Sequence, residues 1–152
     1  MQLTLHADYS LRVLLYLAQN ADRTVSTQEI SEAYGISRNH LVRVVQTLST
    51  HGFLRVTAGR RGGAVLARPP AEINLGQVVR RAEPNFRVVE CFDELSNNCP
   101  IISVCKLKGV LQDALEGFFG VLDGYTLADL AMAPGHAATH FLQISVPSRP
   151  TG

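Results

Sequence analysis

A mainly α-helical fold carrying one small β-hairpin is predicted from three features of the chain. Two short amphipathic segments flank Tyr34-Gly35-Ile36, and two short apolar runs flank the basic, glycine-rich Gly59-Arg60-Arg61-Gly62-Gly63. A longer segment, 107–125, repeats apolar residues at alternating intervals of four and three. The first and third patterns carry a helical period, and the second is that of a hairpin.

The elements follow in order. Residues 8–20 read as a helix, on the recurrence of Leu11, Leu14, Leu15 and Ala18. After a polar loop, Ser26-Thr27-Gln28-Glu29 reads as a capping box, the serine oxygen accepting from the backbone NH three residues on and the glutamate reaching back. It opens a short helix through Ile30 to Ala33. Gly35 suits the left-handed backbone of a tight turn. Ser37 then caps a helix whose apolar stripe is Leu41, Val44, Val45 and Leu48. Two short helices joined across a glycine turn form a helix-turn-helix. Residues 52–56 and 64–67 are the strands of a wing, which Pro69-Pro70 ends. A further short helix is expected over 73–82, on Leu75, Val78 and Val79, and 84–100, with Pro84, Asn85, Asn97, Asn98 and Pro100, reads as irregular.

In 107–125 the stripe is Leu107, Leu111, Ala114, Phe118, Val121 and Tyr125, with Val110, Phe119 and Leu122 apolar off it. That is heptad spacing with apolar residues on more than one face, so self-association into a homodimer is expected. Gly117, Gly120 and Gly124 carry two readings: they let another helix approach closely, or the helix ends early near Gly117. The organisation is therefore mainly α with a small β-wing. A winged helix-turn-helix DNA-binding region spans 1–83, a cysteine-bearing loop 84–106, and a long C-terminal dimerisation helix 107–130. A flexible tail, rich in Pro, Gly, Ser, Ala and Thr, spans 131–152.

Composition agrees. A chain of 152 residues with 46% hydrophobic and 18% charged residues fits one globular domain. The net charge of +1 does not mark a nucleic-acid binder, but its distribution does. Arg38, Arg43, Arg55, Arg60, Arg61, Arg68, Arg80 and Arg81 crowd one segment, opposed only by Glu72. The N-terminal residues lack the basic stretch and apolar run of a secretory signal, and no run approaches ~20 apolar residues. A cytoplasmic protein without a membrane span is expected.

A recognition helix places its N-terminal side chains against base edges in the major groove. Here those are Arg38, Asn39 and His40, with Arg43 one turn on and Ser37 at the cap; arginine suits guanine and asparagine adenine. Thr27 and Gln28, opening the preceding helix, suit phosphate. Arg60 and Arg61 at the wing tip suit the minor groove.

The three cysteines, Cys91, Cys99 and Cys105, lie in one stretch with the spacing Cys-x7-Cys-x5-Cys. Thiolates so clustered can share a soft metal centre. Four ligands are usual, so three leave a position open, as a sensor of small molecules requires. The spacing is looser than a structural zinc knuckle. Three unrelated buried thiols, a thiol enzyme or electron carrier, and a zinc or thiol interaction module are the competing readings. Without a Cys-x-x-Cys pair, and with a DNA reader upstream, a non-enzyme is expected. His136 and His140, four apart in the tail, have a metal-binding spacing only if helical.

Several of these motifs, in this order, resemble the Rrf-type winged-helix regulators over roughly residues 1–130. The resemblance is carried by Leu5-His6-Ala7-Asp8-Tyr9-Ser10-Leu11-Arg12, Gln28-Glu29-Ile30-Ser31 and Ile36-Ser37-Arg38-Asn39-His40-Leu41, by the wing, and by the cysteines. It implies a repressor on a double-stranded DNA operator whose iron-sulfur cluster senses nitric oxide. Members that regulate cluster assembly carry a ligating histidine three residues after the third cysteine; here that position is Lys108, so the nitric-oxide-sensing subgroup is the nearer match. That subgroup implies Asp8 of the partner subunit as fourth ligand beside Cys91, Cys99 and Cys105, with Arg12 and Glu83 near the cluster. A 4Fe-4S cluster is favoured over 2Fe-2S. The seven residues between Cys91 and Cys99 exceed the spacing in some relatives. From the residues alone, Asp8 is a helix cap or dipole partner, and Arg12 and Glu83 are surface charges. A regulator sensing redox or iron-sulfur status through the same site is the alternative.

Overall fold

Helix α1 (Leu5–Gln19) begins three residues earlier than its apolar pattern suggests, because Thr4 is its N-cap and accepts from the Ala7 amide. Asp8 is therefore in the first turn and is not the cap. The buried stripe is also displaced: Ala7, Ser10, Val13, Leu14 and Leu17 face the core, whereas Leu11, Leu15 and Ala18 lie partly buried at its edge. Ser10 is tolerated there because its hydroxyl donates to the His6 carbonyl at 2.7 Å. The computed structural model describes residues 2–59, 62–93 and 95–130.

Helix α2 (Thr27–Tyr34) is capped by Ser26 through the Glu29 amide, but the expected box closes on one side only. Glu29 turns away to accept from Arg23 and from the Tyr16 hydroxyl, a charged partner being the stronger attraction. Gly35 takes φ +64°, and Ser31 donates to the Ile36 carbonyl at 2.6 Å, which fixes the turn. Helix α3 (Arg38–Thr50) is capped by Ser37 and buries Leu41, Val44, Val45 and Leu48, the predicted stripe.

Strands β1 (Leu54–Thr57) and β2 (Gly63–Leu66) pair antiparallel, Leu54 opposite Leu66 at the base and Thr57 opposite Gly63 towards the tip. Val25, ahead of α2, bridges to Ala64 and anchors the hairpin to the core. The wing-tip residues Arg60 and Arg61 lie outside the described residues, as do the 131–152 tail and its His136 and His140.

A 3-10 turn (Pro70–Glu72) leads into α4 (Leu75–Ala82), capped by Asn74. The described residues of 84–100 are irregular, as expected, except for a 3-10 turn at Glu90–Phe92 that carries Cys91. Helix α5 (Leu107–Asp123) runs unbroken through Gly117 and Gly120, so the early termination is excluded; Gly124 is its C-cap. Helix α6 (Leu127–Leu130) opens where Asp129 accepts from the Thr126 amide and hydroxyl, both at 2.7 Å.

One core joins these parts. Val13, Leu14 and Leu17 of α1 pack with Ile30, the α3 stripe, Phe53, Leu54, Ile73, Val78 and Leu127. Leu127 is fully buried and its amide donates to the Ile73 carbonyl at 2.8 Å. The chain after the long helix thus returns to the core of the N-terminal region.

Candidate functional site

The two candidate sites stand at different depths in the fold, and local sequence sets each. On α3, Arg38, Asn39, His40 and Arg43 are exposed, because the stripe that buries Leu41, Val44 and Val45 turns them outward. Arg38 and Arg43 carry no ion pair among the described residues, so their charge is available to phosphate or base edges. Ser37 uses its oxygen to receive the His40 amide at 3.4 Å. The His40 ring packs against Tyr9 of α1, ring centroids 6.1 Å apart. Thr27 is half-buried at the start of α2, and Gln28 is exposed, its amide donating to Glu32 at 2.7 Å.

Sequence reading did not single out Val42, which is 50% exposed one turn on from Arg38 on α3. It lies off the apolar stripe, and an apolar side chain on the polar face was the available signal. Such a group suits the methyl of thymine.

The cysteine site lies against the start of α5. Cys91, Cys99 and Cys105 are all free and half-buried, and all three line one cavity of about 180 Å³. Val89, Ile101, Leu107 and Leu111 give it apolar walls, and Glu90 and Lys108 add the charged groups. Glu90 has a structural part that its sequence position does not announce: its Oε1 accepts the Asn98 amide at 2.8 Å, pinning the loop between Cys91 and Cys99. Asn97 accepts the Cys99 amide at 3.1 Å.

The donor chemistry of this cavity fits a soft-metal group. Among the described residues, no three His, Cys, Asp or Glu side chains are gathered closely enough for a single metal ion. A 4Fe-4S cluster has a different requirement, since each thiolate binds a different iron and the sulfurs stand further apart. The residues fit a cluster better than a lone zinc.

The remaining predicted residues are not at this cavity within one chain. Asp8 lies on α1, where Arg12 holds it in an ion pair at 2.8 Å and also donates through Nε at 3.1 Å. Glu83, the residue ending α4, accepts the Thr4 amide at 2.6 Å and so closes the N-terminus of α1. Glu83 therefore stands at the N-terminus of α1 and is not among the residues lining the cysteine cavity. Pro84, Asn85 and Phe86 follow it in a separate cleft lined also by Leu115 and Phe118 of α5.

Helix α5 has two apolar faces with different fates. Phe119 is buried against Phe86 at 4.7 Å between ring centroids and lies under the Arg80 guanidinium. The other face is uncovered in the single chain. Leu107 and Val121 are 60% and 63% exposed, and Val110, Ala114 and Gly117 continue the row between them at intervals of three and four. Of the predicted stripe, Leu107, Ala114, Val121 and Tyr125 are exposed, whereas Leu111 and Phe118 are half-buried; Val110 and Gly117 take their places in the open row.

Comparison with known proteins agrees with this architecture. Residues 3–133 match the Rrf2 family, described as iron-dependent transcriptional regulators. The chain is 48% identical over 131 residues to the HTH-type transcriptional regulator NsrR of Halalkalibacterium halodurans, covering 86% of this chain and 90% of that protein. It is 47% identical over 131 residues to NsrR of Bacillus subtilis, with the same coverage. Among solved structures, CymR, the global cysteine regulator of B. subtilis, superposes with a TM-score of 0.65 at 26% identity, over 86% of this chain and 96% of that one. T. potens IscR gives 0.69 at 25% identity, over 91% and 96%. No described helix is long and apolar enough to cross a membrane.

Proposed function

The chain belongs to the Rrf2 family and is a DNA-binding transcriptional regulator of the NsrR type rather than an enzyme, and from that premise we propose that it is a homodimeric, nitric-oxide-responsive repressor acting through an iron-sulfur cluster in the cytoplasm. The observation that carries this reading is the convergence of Cys91, Cys99 and Cys105 on one apolar-walled cavity at the foot of α5.

In this reading the three thiolates hold the cluster, 4Fe-4S in preference to 2Fe-2S, and Asp8 of the partner subunit supplies the fourth ligand. A bound cluster supplies iron that reacts with nitric oxide. The protein's part is mechanical. The exposed row on α5 packs on its counterpart in the second copy, which takes its apolar surface out of water. Holding the Cys91–Cys105 loop fixes the start of α5, and α5 fixes the spacing of the two α3 helices, about 34 Å or one turn of DNA. Each α3 then reads bases through Arg38, Asn39, His40 and Arg43, while Thr27, Gln28 and Ser37 meet phosphate and Arg60 and Arg61 reach the minor groove. Loss of the loop's anchor lets the readers leave register, a two-state switch linked to ligand chemistry. Arg12 competes with the metal for Asp8, which keeps the carboxylate displaceable.

Lys108, in place of a fourth-ligand histidine, supports a site completed from elsewhere; a sensor of redox or iron-sulfur status using the same ligands is the second reading. Anaerobic reconstitution with iron and sulfide tests both. Charge-transfer absorption in the visible, bleached by nitric oxide in step with release of operator DNA, is expected. The Cys99→Ala protein remains dimeric, colourless and unable to hold the operator. Tight operator binding by iron-free Cys99→Ala refutes the coupling, and bleaching by oxidants but not by nitric oxide favours the second reading.

A further inference from the structure

We propose that the cleft between the end of α3, the base of the wing and α4 is a binding site for a small tetrahedral oxyanion of the phosphate or sulfate class. The cleft, about 510 Å³, is lined by His51, Phe53, Arg68, Gln77, Arg80 and Arg81. Three guanidinium groups and an imidazole share it, and no carboxylate is among its walls. Arg68 and Arg81 form no ion pair among the described residues.

The Arg68 side chain is held in place from behind. Its Nε is covered by protein and makes no hydrogen bond, so only the terminal NH groups of its guanidinium can face a ligand in the cleft. The Arg68 guanidinium lies 5.0 Å from the centroid of the Phe53 ring, which fixes its plane. A guanidinium held in one plane offers a two-pronged donor that matches the oxygen spacing of phosphate and sulfate. Arg81 and His51 add donors from the other walls, and Gln77 adds a neutral amide.

A simpler role covers only part of the cluster. Arg80 and Arg81 stand in the last turn of α4, where a cation offsets the helix carbonyls. Arg68 follows β2 and has no helix end of its own to serve.

Position separates the cleft from the DNA reader. Helix α3 is 13 residues long, so about 20 Å of helix divides His51 from Arg38. Phe53 and Arg68 flank the base of the hairpin, and the tip lies at the other end. The ligand assigned here is therefore a free solute rather than an operator phosphate.

Arg80 faces both ways. It lines the cleft and also donates to both Asp123 oxygens at 2.6 and 2.7 Å. An oxyanion in the cleft competes with Asp123 for that guanidinium, and by linkage removal of the Asp123 charge strengthens anion binding.

The test is calorimetric titration of the full-length protein with inorganic phosphate, with sulfate, and with chloride as control, at constant ionic strength. Saturable binding of phosphate and sulfate is expected, with no heat from chloride. Arg81→Gln, an exposed position, weakens it by about tenfold, the worth of one charge-assisted hydrogen bond. Asp123→Asn tightens it several-fold. Equal phosphate binding by wild type and Arg81→Gln overturns the site, as does weaker binding by Asp123→Asn. If Arg81→Gln lowers operator affinity in phosphate-free buffer as much as Arg38→Ala does, the cleft belongs to DNA and the proposal falls. None of these outcomes depends on the cysteine site.

Discussion

Asp123, the last residue of α5, receives two hydrogen bonds from the guanidinium of Arg80 on α4, at 2.6 and 2.7 Å. The same guanidinium lies 4.0 Å from the centroid of Phe119, one turn earlier on α5. Asn74 reinforces the junction, donating to the Asp123 carbonyl at 2.7 Å while its own oxygen caps α4. The end of the long helix is thus tied to the helix-turn-helix region by an oriented pair rather than by apolar packing alone.

Gly76 makes the approach possible, since a Cβ there would strike the Asp123 carboxylate in the position where Arg80 holds it. Alanine in place of a helical glycine ordinarily stabilises. Here the expected sign is reversed: Gly76→Ala lowers the thermal midpoint by about 2–4 °C, because the pair must part. In an Asp123→Ala background the same substitution is neutral or stabilising. Thermal unfolding of the four proteins forms the cycle that checks it.

The Asp123 carboxyl is held below the usual carboxylate range, chiefly by the hydrogen bonds from Arg80. A depressed folded-state value means that the pair contributes stability above the unfolded-state value, about 3.9, and loses it as pH falls through the lower folded value. The stability gap between wild type and Asp123→Asn is therefore full at pH 7 and closes in strong acid. Urea denaturation across that range measures it, and a gap that widened on acidification would contradict the assignment.

Leu127 is completely buried in the cluster that contains Leu14, Leu41 and Ile73. Leu127→Ala is expected to cost about 2–5 kcal/mol, through lost transfer energy and the cavity left behind. Truncation at a surface leucine such as Leu130, which is 43% exposed, costs far less. Chemical denaturation of the two variants distinguishes a core element from a peripheral turn.

Sharing of the cluster between subunits has its own signature. Asp8→Ala and Cys99→Ala homodimers each lack one ligand type at both sites. A mixed dimer holds one complete site if Asp8 acts on the partner's cysteines, and none if it acts within its own chain. Iron and visible absorption per mixed dimer should return to about half the wild-type value, given two equivalent sites per symmetric dimer.

Much of this was legible because local rules carried it. The serine caps of α2 and α3, the left-handed Gly35 and the α3 stripe depend on residues within a few positions, and each formed as the residue pattern requires. Where reading failed, a distant residue had intervened. Glu29 left its capping box for Arg23 and Tyr16. The start of α1 is the exception: its cap, Thr4, is local and was passed over, and Glu83, far along the chain, only adds an acceptor for the Thr4 amide. On α5 the predicted Leu107, Ala114 and Val121 lie in the open row, but Leu111 and Phe118 are half-buried and Val110 and Gly117 stand there instead; nothing in the spacing of a two-faced apolar helix says which side the same chain will cover.

The sequence alone determined the kind of protein: a helix-turn-helix with a basic wing, three thiols in one stretch and a helix too apolar to stand alone. Those are short-range facts, set by backbone propensity, capping and hydrophobic period. Only the tertiary structure decided that the thiols open onto one cavity, that α5 is clamped by Arg80, and that Arg68, Arg80 and Arg81 line one cleft. Such facts depend on which surfaces meet in space. Burial and long-range pairing fix them, and neither is written in the spacing of residues along a chain.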